Sequence, residues 1–187
     1  MNKLIFTLLV SASCFAQKID VSVKDSITGA RTIFTELPKA VSADESETIV
    51  NNGVVFFSAG YQDVKVKDAL KGLYLVSLNI VHRDKRVGCL KQESGKVVLV
   101  LEDGSEITCS QVSATDCDPV GFMSDFILVQ KDGNEADMKA NFLKLQTVLI
   151  KKIRVITSET TIPFVVKQQA RLQLREHFKL VAAELAK

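Results

Sequence analysis

The stretch GKVVLVLEDGSEIT, residues 95–108, constrains the fold more than any other part of the sequence. Two apolar runs flank Asp103 and Gly104. An Asp-Gly pair between such runs predicts a β-hairpin, because glycine tolerates the positive φ that a tight turn requires. Ser94 and Gly95, just upstream, predict a second hairpin that would pair a strand over 86–92 with the central run. Consecutive hairpins imply an antiparallel sheet.

The register of this sheet follows if Asp103 and Gly104 form a two-residue loop. Val98 then lies opposite Cys109, and Val100 lies opposite Ile107. Side chains alternate between the two faces of a strand. We therefore expect one core face that carries Cys89, Val98, Val100, Ile107 and Cys109.

The rest of the chain predicts further strands and two helices. Short strands are expected within 18–35 and at 54–60, 73–82, 122–130, 151–158 and 159–166, with a polar loop over 36–53. Pro163 indicates that the last strand lies at a sheet edge. Asn134 is the predicted N-cap of a helix. The apolar stripe of this helix is Met138, Phe142, Leu145 and Leu149, and that of a closing helix over 167–186 is Leu174, Phe178, Val181 and Leu185.

Together these elements predict an α+β fold, in which two amphipathic helices pack on an antiparallel sheet of consecutive hairpins and the C-terminal helix comes last. The predicted divisions are a signal peptide at 1–16, an N-terminal hairpin and polar loop at 17–53, and a single α+β domain at 54–187.

The first 16 residues have the pattern of a secretory leader. Lys3 precedes an apolar run over 4–10, and small residues lead to Ala16. Cleavage after Ala16 is favoured over lipidation at Cys14, because Ser11 stands where a lipobox usually carries an aliphatic residue. We expect an exported protein, periplasmic or extracellular. No later apolar run reaches the roughly 18 residues of a membrane span.

Several of these motifs carry a resemblance to a known group of proteins. The leader ends in FAQ, Asp25, Ile27, Thr28 and Gly29 form an early D-x-I-T-G motif, and GKVVLVLEDGSEIT, FLKLQTVLIKKIRVIT and the closing helix follow. This pattern resembles uncharacterised secreted proteins of Bacteroidetes bacteria. The resemblance implies an envelope or extracellular location, and it supplies no catalytic residues.

Removal of the leader leaves three cysteines, an odd number. In the predicted register Cys89 and Cys109 lie two strands apart, roughly 10 Å, which is too far for a disulfide. Cys109 and Cys117 are separated only by a loop, so they are the candidate disulfide. Three separate thiols are the alternative.

The sequence contains no recognisable catalytic motif. His82 and His177 lie in different predicted elements, and each is expected to have a surface or boundary role. Asp116 with Asp118, and Asp132 with Asn134 and Asp137, are too few ligands for a calcium loop. We therefore expect no catalytic, metal or cofactor site.

The net charge of the chain is +2, without a basic stripe, which argues against nucleic acid. The favoured function is a non-catalytic domain that binds a protein partner, through the Pro163 edge or the 36–53 loop. The alternatives are a hydrolase with an acid and histidine site, and a structural component of the envelope.

Overall fold

The computed structural model describes residues 17–37, 49–51 and 53–187. The predicted leader and most of the predicted polar loop lie outside these ranges. The strands, in chain order, are β1 (Ile19–Lys24), β2 (Arg31–Thr35), β3 (Val50–Asn51), β4 (Val54–Val66), β5 (Ala69–Val81), β6 (Lys96–Leu101), β7 (Glu106–Gln111), β8 (Gly121–Ile127), β9 (Ile150–Ile156) and β10 (Thr161–Val166). The helices are α1 (Glu135–Leu145) and α2 (Gln168–Leu185), and a short 3-10 helix spans Lys85–Val87.

All ten strands belong to one antiparallel sheet in the order β1-β2-β4-β5-β8-β7-β6-β9-β10-β3. The expected antiparallel sheet and α+β class are confirmed. The N-terminal hairpin, β1 and β2, extends the same sheet as the strands of 54–187. β3, at one edge, leads within a few residues into β4, near the opposite edge. The sheet must therefore curl.

Helix α2 lies in the hollow of the curled sheet. It packs against β1, β2 and β4 near one edge and against β9 near the other. Its side chains Leu174, Phe178 and Val181 are fully buried. Arg31 of β2 donates from its guanidinium to the carbonyl oxygens of Leu185, at 2.9 Å, and Glu184, at 2.7 Å. These two hydrogen bonds tie the C-terminal end of the helix to the sheet.

Helix α1 begins as the sequence predicts. The side chain of Asn134 accepts a hydrogen bond from the backbone N–H of Asp137 at 2.9 Å, which is an N-cap. Met138, Phe142 and Leu145 are buried in the core. Across the part of the chain that the structure describes, no helix has the length and apolar content to cross a membrane.

The predicted register of the β6–β7 hairpin is wrong by one residue. Leu101 donates its N–H to the carbonyl of Ser105 at 2.9 Å, so the loop contains three residues, 102–104. Val97 then pairs with Cys109, and Leu99 pairs with Ile107. A shift of one residue moves every side chain of a strand to the other face. The core face of β6 is thus Val97, Leu99 and Leu101, each fully buried.

The predicted disulfide between Cys109 and Cys117 is also wrong. Cys117 is bonded to Cys89, with a Cα–Cα distance of 4.3 Å, and Cys109 is a free, buried thiol. The predicted strand over 86–92 is absent from the described chain, where Leu90 instead forms an isolated antiparallel bridge with Asp116. Their neighbours Cys89 and Cys117 are therefore directly opposite each other, at the separation of a close antiparallel pair.

Candidate interaction surface

The hairpin of β4 and β5 is longer than the strands on either side of it. β2 pairs with β4 only as far as Gln62, and β8 pairs with β5 only from Leu75 onward. Beyond these points, among the described residues, β4 and β5 pair only with each other, up to Val66 and Ala69. We call residues 64–73 the arm. Asp63 pairs with Gly72, and three more residue pairs follow toward the tip. At about 3.4 Å per residue, these three pairs extend the arm by about 10 Å along the strand direction.

Along the outward edge of the arm on the β5 side, some backbone groups have no strand partner among the described residues. The carbonyl of Tyr74 accepts a hydrogen bond from Leu128 N–H at 3.0 Å, so the backbone groups of Tyr74 point toward β8. Alternate residues of a strand point their N–H and C=O groups in the same direction. Gly72 and Leu70 therefore point theirs past the end of β8, where no described strand pairs with them.

The side chains of the arm are exposed and mostly basic or apolar. Every residue from 65 to 71 is exposed, including Val66 and Leu70 at 42% and 41%. Lys65, Lys67 and Lys71 against Asp68 give this tip a formal charge of +2. Val66 and Leu70 lie on opposite faces of the arm, so each face presents one exposed apolar side chain near a lysine.

The base of the arm is held by a set of polar and aromatic contacts. Tyr61 donates its hydroxyl hydrogen to Asp63 at 2.6 Å, and the other carboxylate oxygen of Asp63 accepts from Arg31 N–H at 2.9 Å. The ring of Tyr61 packs edge-on against Tyr74, and Tyr74 stacks on Phe142 of α1 with ring centroids 4.2 Å apart. Burial, together with the hydrogen bond and charge of Asp63, raises the pKa of Tyr61. The tip therefore projects from a fixed base.

Gly72 has a specific reason to be glycine. A β-carbon at this position would lie 2.3 Å from the hydroxyl oxygen of Tyr61. The absence of a side chain allows the end of the Tyr61 ring to lie directly over the backbone of Gly72.

A cleft beside the start of α1 is the second candidate site. Its volume is about 410 Å³, and it is lined by the carboxylates of Glu106, Asp132 and Asp137 and by Asn141. Glu106 already forms an ion pair with Arg154, and the Asn141 amide donates to the Leu128 carbonyl at 2.8 Å.

The carboxylates of Asp116 and Asp118, two of the possible calcium ligands in the sequence, accept hydrogen bonds from nearby backbone N–H groups. Asp116 accepts hydrogen bonds from the N–H groups of Asp118 and Met123, and Asp118 accepts from Val120 N–H. Within the described ranges, no group of three or more His, Cys, Asp or Glu side chains is arranged to hold a metal ion.

Neither histidine lines the cleft. His82 lies with its ring centroid 4.4 Å from that of Phe122, and its Nδ1 accepts from Asp84 N–H at 3.1 Å. His177 is 6% exposed, packs edge-on against Phe57, and lies with Nδ1 2.7 Å from Thr35 Oγ1. Burial lowers the pKa of His177 to about 4. The expectation of a surface or boundary role is thus wrong for His177, which belongs to the core.

Thr35 and Ser58 extend this buried polar group without forming a nucleophile. The Ser58 hydroxyl donates to the Thr35 carbonyl at 2.6 Å, so its proton is directed at the backbone and away from the histidine. Thr35 Oγ1 also accepts from Ala59 N–H at 2.9 Å. The cluster satisfies buried polar atoms between α2, β2 and β4.

The cysteines are divided between surface and core. The Cys89–Cys117 disulfide lies at the surface, where Cys117 is exposed. Cys109 is completely buried, and burial raises the pKa of its thiol. The thiolate is the reactive form of cysteine, so Cys109 has the surroundings of an inert core residue.

Few local sequence signals predict the arm. The alternation of Val64 and Val66 is a strand signal, but the turn at Lys67 and Asp68 contains none of the glycine or asparagine residues that mark most two-residue hairpins. Lys67 adopts a φ of 56°, which is unusual for its residue type.

A comparison of the chain with protein-family models, curated proteins and solved structures finds no match.

Proposed function

We propose that this chain is an exported, non-catalytic domain that binds another protein through the arm. The observation that carries the proposal is the combination, at one projecting tip, of strand backbone that pairs with no other described strand and of exposed Val66 and Leu70. An unpaired strand edge is a template for association with another chain. The fixed base presents that edge in one orientation, which reduces the entropy lost on binding.

Two independent features support export. The first 16 residues have the charge, apolar run and small residues of a cleaved leader. A disulfide between Cys89 and Cys117 at the surface is typical of proteins that reside in an oxidising compartment. The resemblance to secreted Bacteroidetes proteins agrees with both. A native chain that begins at Gln17 by intact mass supports the proposal, whereas a mass that retains residues 1–16 contradicts export.

Site-specific photo-crosslinking in the cells that make the protein tests the contact surface. A photoreactive residue is placed at Val66 or Leu70, and in a control at Leu172, which is 51% exposed on α2. We expect a defined protein adduct, identified by mass spectrometry, from the two arm positions and none from Leu172. Equal adducts from all three positions, or none from the arm, would contradict the proposal. Adducts between copies of this chain would favour an assembly role instead.

A further inference from the structure

The arm offers two edges to a partner, and they are not equivalent. On the β4 side the first residue that points outward beyond Asp63 is Lys65, and the side chain of Asp63 is already occupied by Arg31. On the β5 side the backbone groups of Leu70 and Gly72 both point outward. The β5 side is therefore the more complete template for one added strand.

The side chains beside this edge specify what the added strand should carry. Even-numbered residues of β5 from Val76 to Ile80 face the core, so Leu70 and Gly72 continue the concave face of the sheet. Lys71 lies on the opposite, convex face, with Val66 and Ala69. A strand beside β5 would place alternate residues on the two faces. Directly beside it on β5, such a strand would have Leu70 on the concave face and Lys71 on the convex face. Lys65, which pairs with Leu70, lies on the concave face one strand further away.

From this arrangement we propose that the β5 edge of the arm binds an extended acidic segment of another protein, which adds as a strand beside Leu70 and Gly72. The segment alternates apolar and acidic residues, with the acidic ones on the side of Lys71. Backbone hydrogen bonds supply the register, and the tip charge of +2 selects the acidic sequence. This inference rests on the proposed function and names the chemistry of its partner.

An anionic lipid surface would also attract lysines and apolar side chains. Insertion into lipid, however, would leave the N–H and C=O groups of Leu70 and Gly72 without hydrogen-bond partners, which is costly in a medium without water. An added strand satisfies the same groups. The unpaired backbone therefore favours a peptide over a membrane.

The test uses the full mature chain, labelled with ¹⁵N, and the blocked heptapeptide TEVEVET. At a peptide concentration ten times Kd, amide exchange at Leu70 and Gly72 should slow by about tenfold, since only the free fraction exchanges. The matched peptide TKVKVKT should bind at least about tenfold more weakly. A TEVEVET peptide that is N-methylated along one edge should no longer protect the amides of Leu70 and Gly72 from exchange, because the methylated nitrogens cannot donate hydrogen bonds.

Two pairs of protein variants locate the site. Leu70→Pro removes an outward N–H on the β5 side and should weaken TEVEVET binding by about tenfold. Lys65→Pro removes an N–H on the other side together with one lysine, so it should weaken binding clearly less than Leu70→Pro does. Lys71→Glu should weaken binding by about tenfold at low salt, while Lys96→Glu, the same charge change on β6, should have little effect. Exchange of the amides of Leu75 to Ile80 checks that each variant is folded.

The outcomes separate this inference from the proposed function. No binding of TEVEVET, equal binding of TKVKVKT, or equal binding by Leu70→Pro and Lys65→Pro overturns the acidic-strand inference, and tip adducts in cells would then leave the proposed function intact. Binding to vesicles of phosphatidylcholine and phosphatidylglycerol without binding of TEVEVET overturns it in favour of a lipid surface. If Leu70→Pro does not fold, the N-methylated peptide decides on the wild-type protein.

Discussion

Breaking the disulfide between Cys89 and Cys117 should destabilise the fold by about 3.6 kcal/mol. The bond closes a loop across a sequence separation of 28 residues. The chain-entropy relation for such a loop gives a loss of about 12 cal/mol/K in the unfolded state, which is about 3.6 kcal/mol at 25 °C. The disulfide joins two segments outside the paired strands, so its removal should leave the sheet intact at low denaturant.

Urea unfolding measures this effect directly. With a slope of about 2 kcal/mol per molar urea, the double variant Cys89→Ala/Cys117→Ala should unfold about 1.8 M earlier than the wild type. Cys109→Ala is the matched control, because it keeps the disulfide and loses only a small buried side chain, at a cost of about 1 kcal/mol. A reductant should destabilise the wild type and Cys109→Ala but not the double variant. Coincident midpoints for wild type and double variant would refute the reasoning.

The pairing itself can be mapped without reduction. Trypsin cleaves after Arg86, Lys91, Lys96 and Lys131, so fragment 87–91 carries Cys89 and fragment 97–131 carries both other cysteines. The observed pairing joins these two fragments. A bond between Cys109 and Cys117 would leave 87–91 free.

Three further predictions concern stability. His177 has a folded pKa of about 4, below its ordinary value of about 6.5, so the unfolded chain binds the proton more readily. The free energy of unfolding should therefore fall by about 2 kcal/mol as the pH drops from about 7 to about 5. His177→Phe should flatten this pH dependence, and an unchanged pH profile in this variant would contradict the prediction. Arg31→Ala should lower the free energy of unfolding in urea by about 1.5 kcal/mol, because both hydrogen bonds to the end of α2 are lost. Arg31→Lys should be intermediate, and equal stability of all three proteins would contradict a stabilising role of these hydrogen bonds. Lys67→Asn should raise the thermal midpoint and stabilise the folded protein by up to about 1 kcal/mol, because asparagine tolerates the φ of 56° better than lysine does. A lower midpoint would argue against this turn conformation.

The sequence correctly predicts elements that have strong local signals. It does not predict strand register, which a difference of one residue in loop length changes. Asp103 and Gly104 correctly predict the β6–β7 hairpin, because Gly104 adopts a φ of 88°. The loop nevertheless contains 102–104, and this one extra residue reverses which face of β6 enters the core. The same error placed Cys109 opposite Val98 instead of Val97. Register depends on exact loop length, which composition does not encode.

The cysteine pairing, the burial of His177 and the arm depend on tertiary contacts, which local sequence patterns do not predict. Cys89 pairs with Cys117 because an isolated bridge at Leu90 and Asp116 brings two irregular segments together, and no periodic pattern marks such a bridge. The position of His177 predicts a boundary role, but the hydroxyl of Thr35, far away in sequence, provides the partner that a buried imidazole needs. The arm depends on where β2 and β8 stop, which is a property of the neighbouring strands.

Amide hydrogen exchange of the isolated monomer tests the free edge of the arm most directly. If the β5 side is unpaired, the amides of Leu70 and Gly72 should exchange close to the rate of an exposed loop, while those of Leu78 and Ile80, paired with β8, should be strongly protected. Protection of Leu70 and Gly72 equal to that of Leu78 and Ile80 in the monomer would show that the edge is already covered, and would contradict a docking role for the arm.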